Sequence, residues 1–227
     1  MKKAAFILAV VFISTIASAQ VKEKRDVDNF TGISFGVAGE LNLVQGAGFS
    51  VTIEGSKNFL DEVETYVKGG TLIIRRKNWT GWNNEKVTVW VTMPEIENIG
   101  LSGSGILKAE GTITSNELDL SVSGSGKMNL LDLKVDELDC SISGSGAINL
   151  EGGTASECDL SISGSGKYRG RDFQVSEMTV SISGSGNCEC NVSKDLEARV
   201  SGSGDIYYTG PASVDARISG SGKVRKL

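Results

Sequence analysis

An all-β fold, a parallel β-helix of about seven coils, is predicted by three features of this sequence. The tetrapeptide Ser-Gly-Ser-Gly begins at Ser102, Ser123, Ser143, Ser163, Ser183, Ser201 and Ser219, at steps of 21, 20, 20, 20, 18 and 18 residues. Apolar and polar residues alternate on both sides of each copy. Coils this short cannot hold a crossover helix as well as their strands, so stacking of strand on strand is what remains. Seven near-constant repeats mark a solenoid, in which one coil cannot bury its own apolar face and its neighbours bury it instead.

The alternation can be followed copy by copy. Five residues before the first Ser stand Leu118, Leu138, Cys158, Met178, Leu196 and Val214. Three before stand Leu120, Cys140, Leu160, Val180, Ala198 and Ala216, and one before stand Val122, Ile142, Ile162, Ile182, Val200 and Ile218. Period-2 spacing puts all three on one face of a strand. After the motif the pattern resumes with Met128 and Leu130, Ile148 and Leu150, Tyr168, Cys188 and Cys190, and Ile206 and Tyr208. A third pair follows in some coils, Leu133 with Val135 and Phe173 with Val175. Each coil is therefore two or three short strands. Stacked at ~4.8 Å, seven coils make a rod roughly 30 Å long, right-handed by the usual crossover preference. Alternation points both motif glycines inward, at a corner too tight for a Cβ. It points the motif serines outward, in columns whose hydroxyls are expected to hydrogen-bond along the stack.

The first hundred residues read differently. Met1 to Ala19 carry Lys2 and Lys3, an apolar run from Ala4 to Ile16, and Ala17-Ser18-Ala19, the plan of a secretory signal peptide rather than of a membrane span. Export to the periplasm, the outer surface or the medium follows. Without residues 1–19 the net charge moves from −5 to −7, since two Lys and no acid are lost. An acidic chain does not suit nucleic acid. Residues 20–95 read as less regular β-coils that cap the regular stack of 96–227, a separate sandwich being the alternative. Strands are expected over Phe30–Val37, Glu40–Val44, Phe49–Ile53, Thr71–Arg76 and Lys86–Met93. A short helix is expected within Asn58–Val67, with Leu60, Val63 and Val67 on one face.

The segments Arg25-Asp-Val-Asp-Asn-Phe30-Thr-Gly-Ile33, Gln45-Gly46, Gly69-Gly70-Thr71-Leu72 and Val91-Thr92-Met93-Pro94, followed by Leu101-Ser-Gly-Ser-Gly, resemble the auto-transporter adhesin head GIN domain family. That family is common in exported proteins of Bacteroidetes-type bacteria. The resemblance spans residues 25–222. It implies adhesion, and no catalytic residue carries over from it.

The chemistry-bearing residues are few. There is no His, which removes the commonest general base and metal ligand. The many serines lie in no Gly-x-Ser-x-Gly elbow. All four cysteines, Cys140, Cys158, Cys188 and Cys190, take inward positions. Cys140 and Cys158 sit one strand apart and two residues along, roughly 8 Å between Cα atoms and beyond disulfide reach. Buried thiols acting as small apolar side chains are expected.

Two features are candidate sites. The first is an acidic ladder. Glu117, Glu137, Glu157, Glu177 and Asp195 stand six before the motif; Asp119, Asp139, Asp159, Glu197 and Asp215 stand four before, with Thr179 interrupting. Stacked carboxylates repel unless cations intervene. Oxygen columns suit Ca²⁺, with Glu117, Asp119, Glu137, Asp139, Glu157 and Asp159 as ligands; the plain alternative is a solvated face that discourages lateral aggregation. Lys127, Lys134, Lys167 and Arg169 are placed to offset part of the charge. The second is the loop Asn78–Asn84, whose Trp79 and Trp82 either stack on sugar rings or a partner protein, or fold back over the coil end.

Three functions fit. The first is a non-enzymatic binding module for a glycan or a cell-surface protein. The second is a structural protein that self-associates through its open last coil, Lys223–Leu227. The third is a Ca²⁺-dependent enzyme acting on acidic polysaccharide, which would also need a basic residue beside the carboxylates.

Overall fold

The computed structural model describes residues 20–77 and 85–227. Of the described residues, 77% are strand and 3% helix, in a β-solenoid of about six turns; six turns are what seven corners bound. The elements in order are β1 Gln20–Arg25, β2 Gly32–Gly36, β3 Gly39–Gln45, β4 Ser50–Ser56, α1 Lys57–Glu62, β5 Val63–Lys68, β6 Thr71–Arg76, β7 Val87–Met93 and β8 Asn98–Gly103. Then come β9 Ile106–Gly124, β10 Lys127–Gly144, β11 Ala147–Leu150, β12 Gly153–Gly164, β13 Lys167–Gly184, β14 Asn187–Gly202, β15 Asp205–Thr209, β16 Ser213–Gly220 and β17 Lys223–Lys226.

Each regular coil has three sides. The first side carries the strand that runs into the motif, and its order is β5, β6, β2, β8, residues 117–124, 137–144, 157–164, 177–184 and 195–202, then β16. The second side follows the motif, and its order is β1, β4, β7, β3, residues 106–109, 127–130, β11, residues 167–169 and 187–191, then β15 and β17. The short third side holds residues 112–115, 132–135, 153–155 and 173–175. Pairing is parallel throughout, except that β1–β4, β4–β7 and β5–β6 are antiparallel. Those three pairings sit at one end of the stack, where the chain must reverse to close it.

The inward columns form one continuous core. Leu118, Leu138, Cys158, Met178 and Leu196 stack directly over one another, and all are buried. Leu120 to Ala198 and Val122 to Val200 do the same. Each fully buried aliphatic side chain contributes about 1.5–3 kcal/mol. The third-side pairs Leu133 with Val135 and Phe173 with Val175 are buried as their spacing predicts.

The two glycines of a motif do different work. The first takes positive φ in every copy, +111° at Gly144, and a Cβ there would lie 2.7 Å from the carbonyl oxygen of Gly124 below. The second takes no such φ and is buried in every copy but the last, where Gly222 is half-buried; a Cβ on Gly146 would lie 2.5 Å from Val122 Cγ1. Only the second therefore points squarely into the core. The backbone carries the ladder across the corner, with Ser145 N–H donating to Gly124 O at 2.8 Å and Ala147 N–H to Gly126 O at 3.0 Å. The motif serines do face outward, but none of their hydroxyls is hydrogen-bonded along its column. The stacked amides already satisfy the corner, which leaves those hydroxyls to solvent.

Two readings of the first hundred residues change. Helix α1 ends at Glu62, and Val63 and Val67 belong to β5, antiparallel to β6. The β-branched residues Val63, Thr65 and Val67 alternate, and pairing with β6 outweighs the short helical pattern. Ser56 caps the helix, its Oγ accepting from Phe59 N–H at 3.3 Å, and Phe59 and Leu60 are buried. Strand β1 was not anticipated, because its charged run Gln20–Arg25 has no apolar alternation strong enough to show it.

Candidate functional site

The first side brings the acidic ladder together. Parallel in-register stacking sets Glu117, Glu137, Glu157, Glu177 and Asp195 on consecutive strands, and Asp119, Asp139, Asp159, Thr179, Glu197 and Asp215 beside them. All point outward because the residues between them fill the core. Pairing β8 with β9 adds Asn98 at the head of the Asp column, and Glu95 and Glu97 lie beside it. Asn98 stands four before Ser102, the offset of the Asp column, so the period places it and the Asn98–Asp119 pairing agrees. Glu95 and Glu97 depart from the repeat pattern, and the structure places them.

The side is hollowed along its length. One depression of about 820 Å³ is lined by Glu95, Glu97, Asn98, Glu117, Asp119, Glu137 and Asp139. It shares Asn98, Asp119 and Asp139 with the next, of about 630 Å³, which adds Ser121, Ser141, Asp159 and Ser161. That one shares Ser161 and Ser181 with a third, of about 400 Å³, which ends at Arg199, Arg217 and Ser219. The shared walls make a single trough across the strands, carboxylate-rich at one end, hydroxyl-lined in the middle and bearing arginine at the other. Arg199 pairs with Glu197, and Arg217 with Asp215 at 3.3 Å.

Repulsion in the ladder is visible in one group. Partial burial, and then the facing carboxylates of Asp119 and Asp159, hold the Asp139 carboxyl above its ordinary value of 3.8. Positive charge relieves the columns only toward the arginine end, where Arg199 and Arg217 pair with Glu197 and Asp215. Lys194 approaches Glu177 at 3.8 Å. Lys127 and Lys167 stand on the second side and Lys134 on the third, and Arg169 donates to Asn149 Oδ1 at 2.9 Å. None of these four pairs with the ladder. The carboxylates run as a straight row instead of converging, and among the described residues no three metal-type ligands are grouped to hold an ion.

The remaining candidates lie elsewhere. Trp79 and Trp82 fall outside the described residues. Trp90 stands on the second side, 36% exposed, with the Lys22 ammonium 3.9 Å from its ring centre. Cys140, Cys158, Cys188 and Cys190 are buried and unbridged. The Cys158 thiol and burial push the Cys140 thiol well up, and burial with the Cys190 thiol does the same to Cys188. Such thiols are inert as nucleophiles. Tyr168 fills the core between them, its ring passing over Gly170, where a Cβ would lie 2.7 Å from the ring. Its hydroxyl has no hydrogen-bond partner.

Known proteins share this architecture. The sequence profile described as "Putative auto-transporter adhesin, head GIN domain" matches residues 29–212. A putative adhesin from Bacteroides fragilis superposes with a TM-score of 0.84 at 23% identity, over 93% of this chain and 98% of that one. A putative adhesin from Parabacteroides distasonis gives 0.77 at 26%, over 93% and 98%. A putative lipid binding protein from the same species gives 0.73 at 22%, again over 93% and 98%. The likenesses at 22% and 23% speak to fold alone. No curated protein matches the chain. Among the described residues, no helix is long and apolar enough to cross a membrane.

Proposed function

The chain belongs to the auto-transporter adhesin head GIN domain family, and from that premise we propose that it is a non-enzymatic adhesin-like module that holds a cell-surface glycan in the trough of its first side. The observation that carries this reading is the continuity of the trough. Hydroxyls and carboxylates recur across it at the strand spacing of ~4.8 Å, so an extended partner meets the same donors and acceptors at each coil. Repeated weak contacts of that kind add up to useful affinity. Carboxylates accept hydrogen bonds from sugar hydroxyls and attract amino groups, and they repel acidic sugars. A neutral or amino-bearing glycan therefore suits the acidic end better than an acidic polysaccharide does, which also weakens the reading as an enzyme acting on acidic polysaccharide. The loop holding Trp79 and Trp82 supplies stacking surface to the same kind of ligand.

A glycan array tests this. Signal for neutral or amino-bearing glycans is expected from the wild-type chain, and its loss in the triple variant Asp119→Asn, Asp139→Asn, Asp159→Asn supports the trough. Loss only in Trp79→Ala with Trp82→Ala moves the site to the loop. Binding to intact cells with no glycan signal points to a protein partner and refutes the glycan. A Ca²⁺ ion bridging neighbouring carboxylates of the ladder would raise Tm at millimolar Ca²⁺; an unchanged Tm removes the cation from the reading.

A further inference from the structure

The two ends of the stack are finished differently. At the first end, α1 packs on β4 and β5 with Phe59 and Leu60 buried. Strand β1, whose side chains include Lys22, Glu23, Lys24 and Arg25, is the outermost strand of the adjoining side and lines its edge with charge. At the other end, β16 pairs only with β14, and β17 only with β15. The inward column loses its cover there. Ile182 is 2% exposed and Val200 3%, but Ile218 above them is 43% exposed. Ala216 is exposed, and Val214 and Val224 are only half-buried. A solenoid end with bare apolar columns and unpaired strand edges is a template for another chain.

We propose that this end is an interface with a second copy of the same chain, formed by β16 pairing antiparallel with β16 of that copy about a two-fold axis at Ala216. The strand reads Ser213-Val214-Asp215-Ala216-Arg217-Ile218-Ser219, which is complementary to its own reverse. Centred on Ala216, Asp215 faces the second copy's Arg217 and Arg217 faces its Asp215, both on the solvent side. On the core side, Val214 faces Ile218 and Ala216 faces Ala216, so the two apolar columns run into one another. Ser213 faces Ser219. No nearby register does as well. A shift of the centre to Asp215 or to Arg217 sets like charges opposite, and an odd offset puts core residues against solvent residues. The axis exchanges the second and third sides, so the cationic strand β17 meets the second copy's residues 209–212 and not its own image.

The first end explains why the assembly stops at two. Head-to-tail growth needs a bare apolar end on both sides. At the first end the outer strands β1 and β5 also pair on one side only, but α1 covers the core there and the charges along β1 discourage pairing at its edge. The interface is closed and isologous. It stands independently of the glycan reading, which either oligomeric state satisfies.

Light scattering and sedimentation equilibrium of the purified protein, expressed from the full chain, test this. A two-chain species that grows from micromolar to submillimolar concentration is expected. Arg217→Asp or Asp215→Arg alone turns both symmetry-related pairs repulsive, and each weakens the dimer about tenfold or more. The double variant, Asp215→Arg with Arg217→Asp, restores the pairing and the wild-type dissociation constant. Both side chains are well exposed, at 63% and 69%, so the single variants are expected to keep the wild-type far-ultraviolet circular dichroism. A chain that stays monomeric at submillimolar concentration overturns the proposal. So does a dimer indifferent to the single reversals, a dimer that the double variant fails to restore, or open-ended polymers.

Discussion

Replacing the first glycine of two different motifs separates backbone strain from stacking. Gly103 and Gly144 occupy the same place in Ser-Gly-Ser-Gly, and both take positive φ, +88° and +111°. At Gly103 nothing lies within 4 Å of the position a Cβ would take; at Gly144 the carbonyl oxygen of Gly124 lies 2.7 Å from it. Gly103→Ala therefore costs conformational strain alone, about 1–2 kcal/mol. Gly144→Ala adds a clash with backbone that cannot move without disturbing the coil below, a further 1–3 kcal/mol or so, for a total of about 2–5 kcal/mol. Equilibrium urea unfolding followed by circular dichroism measures both. Tryptophan fluorescence followed in parallel checks that the transition is cooperative, because every Trp lies before residue 91 and reports the first turns only. Equal losses at the two sites would refute the stacking account, since the added methyl would then feel the same surroundings in both. A loss below about 1 kcal/mol at Gly144 would refute the strained corner as well.

Two further substitutions probe the ladder and the core. Asp139→Asn is expected to raise stability at neutral pH by about 0.5 kcal/mol, a small figure because the group is mostly solvated. The folded-state pKa of Asp139 is raised, so the folded chain holds its proton more tightly than the unfolded one. The resulting penalty is full above the folded pKa, declines as pH falls through it, and is absent below the ordinary value of 3.8. The advantage of the Asn variant in Tm should shrink in the same way on acidification; an advantage that grows with acid contradicts the repulsion. Tyr168→Phe removes a buried hydroxyl that has no partner. It is expected to leave stability unchanged or raise it by about 1 kcal/mol, and a loss of that size in thermal unfolding would mean the hydroxyl is hydrogen-bonded after all.

The regular coils were readable because the residues that fold them repeat. Leu118 and Leu138 sit at the same distance from a marker, and so do Glu117 and Glu137, so the period places core and ladder together. The first turns offered no such marker. Val63 and Val67 satisfied a helical spacing and an alternating one at once, and only β6 beside them favours the strand. The trough was half legible. Its carboxylates and serines could be listed from the repeat, but the hollow that joins them could not. Asn98 stands where the repeat puts the Asp column, but Glu95 and Glu97 entered the trough only through the folded structure. Arg199 and Arg217 stand in the column that holds serine in earlier coils, and their place at the far end of the trough came from register.

What the sequence determined by itself is the unit: alternation sets which side chains face in, and the glycines set where the chain turns. What the tertiary structure decided is everything that depends on a neighbour. The motif serines do not bond along their columns, because the amides of the corner already do. The two glycines of each corner differ, because one adopts a backbone angle closed to other residues and the other yields its Cβ volume to the coil below. The ends differ, because α1 covers the core at one and β16 leaves Ile218 bare at the other. A repeat encodes the contacts common to every coil, and position along the stack, which the repeat cannot encode, decides which of those contacts are made.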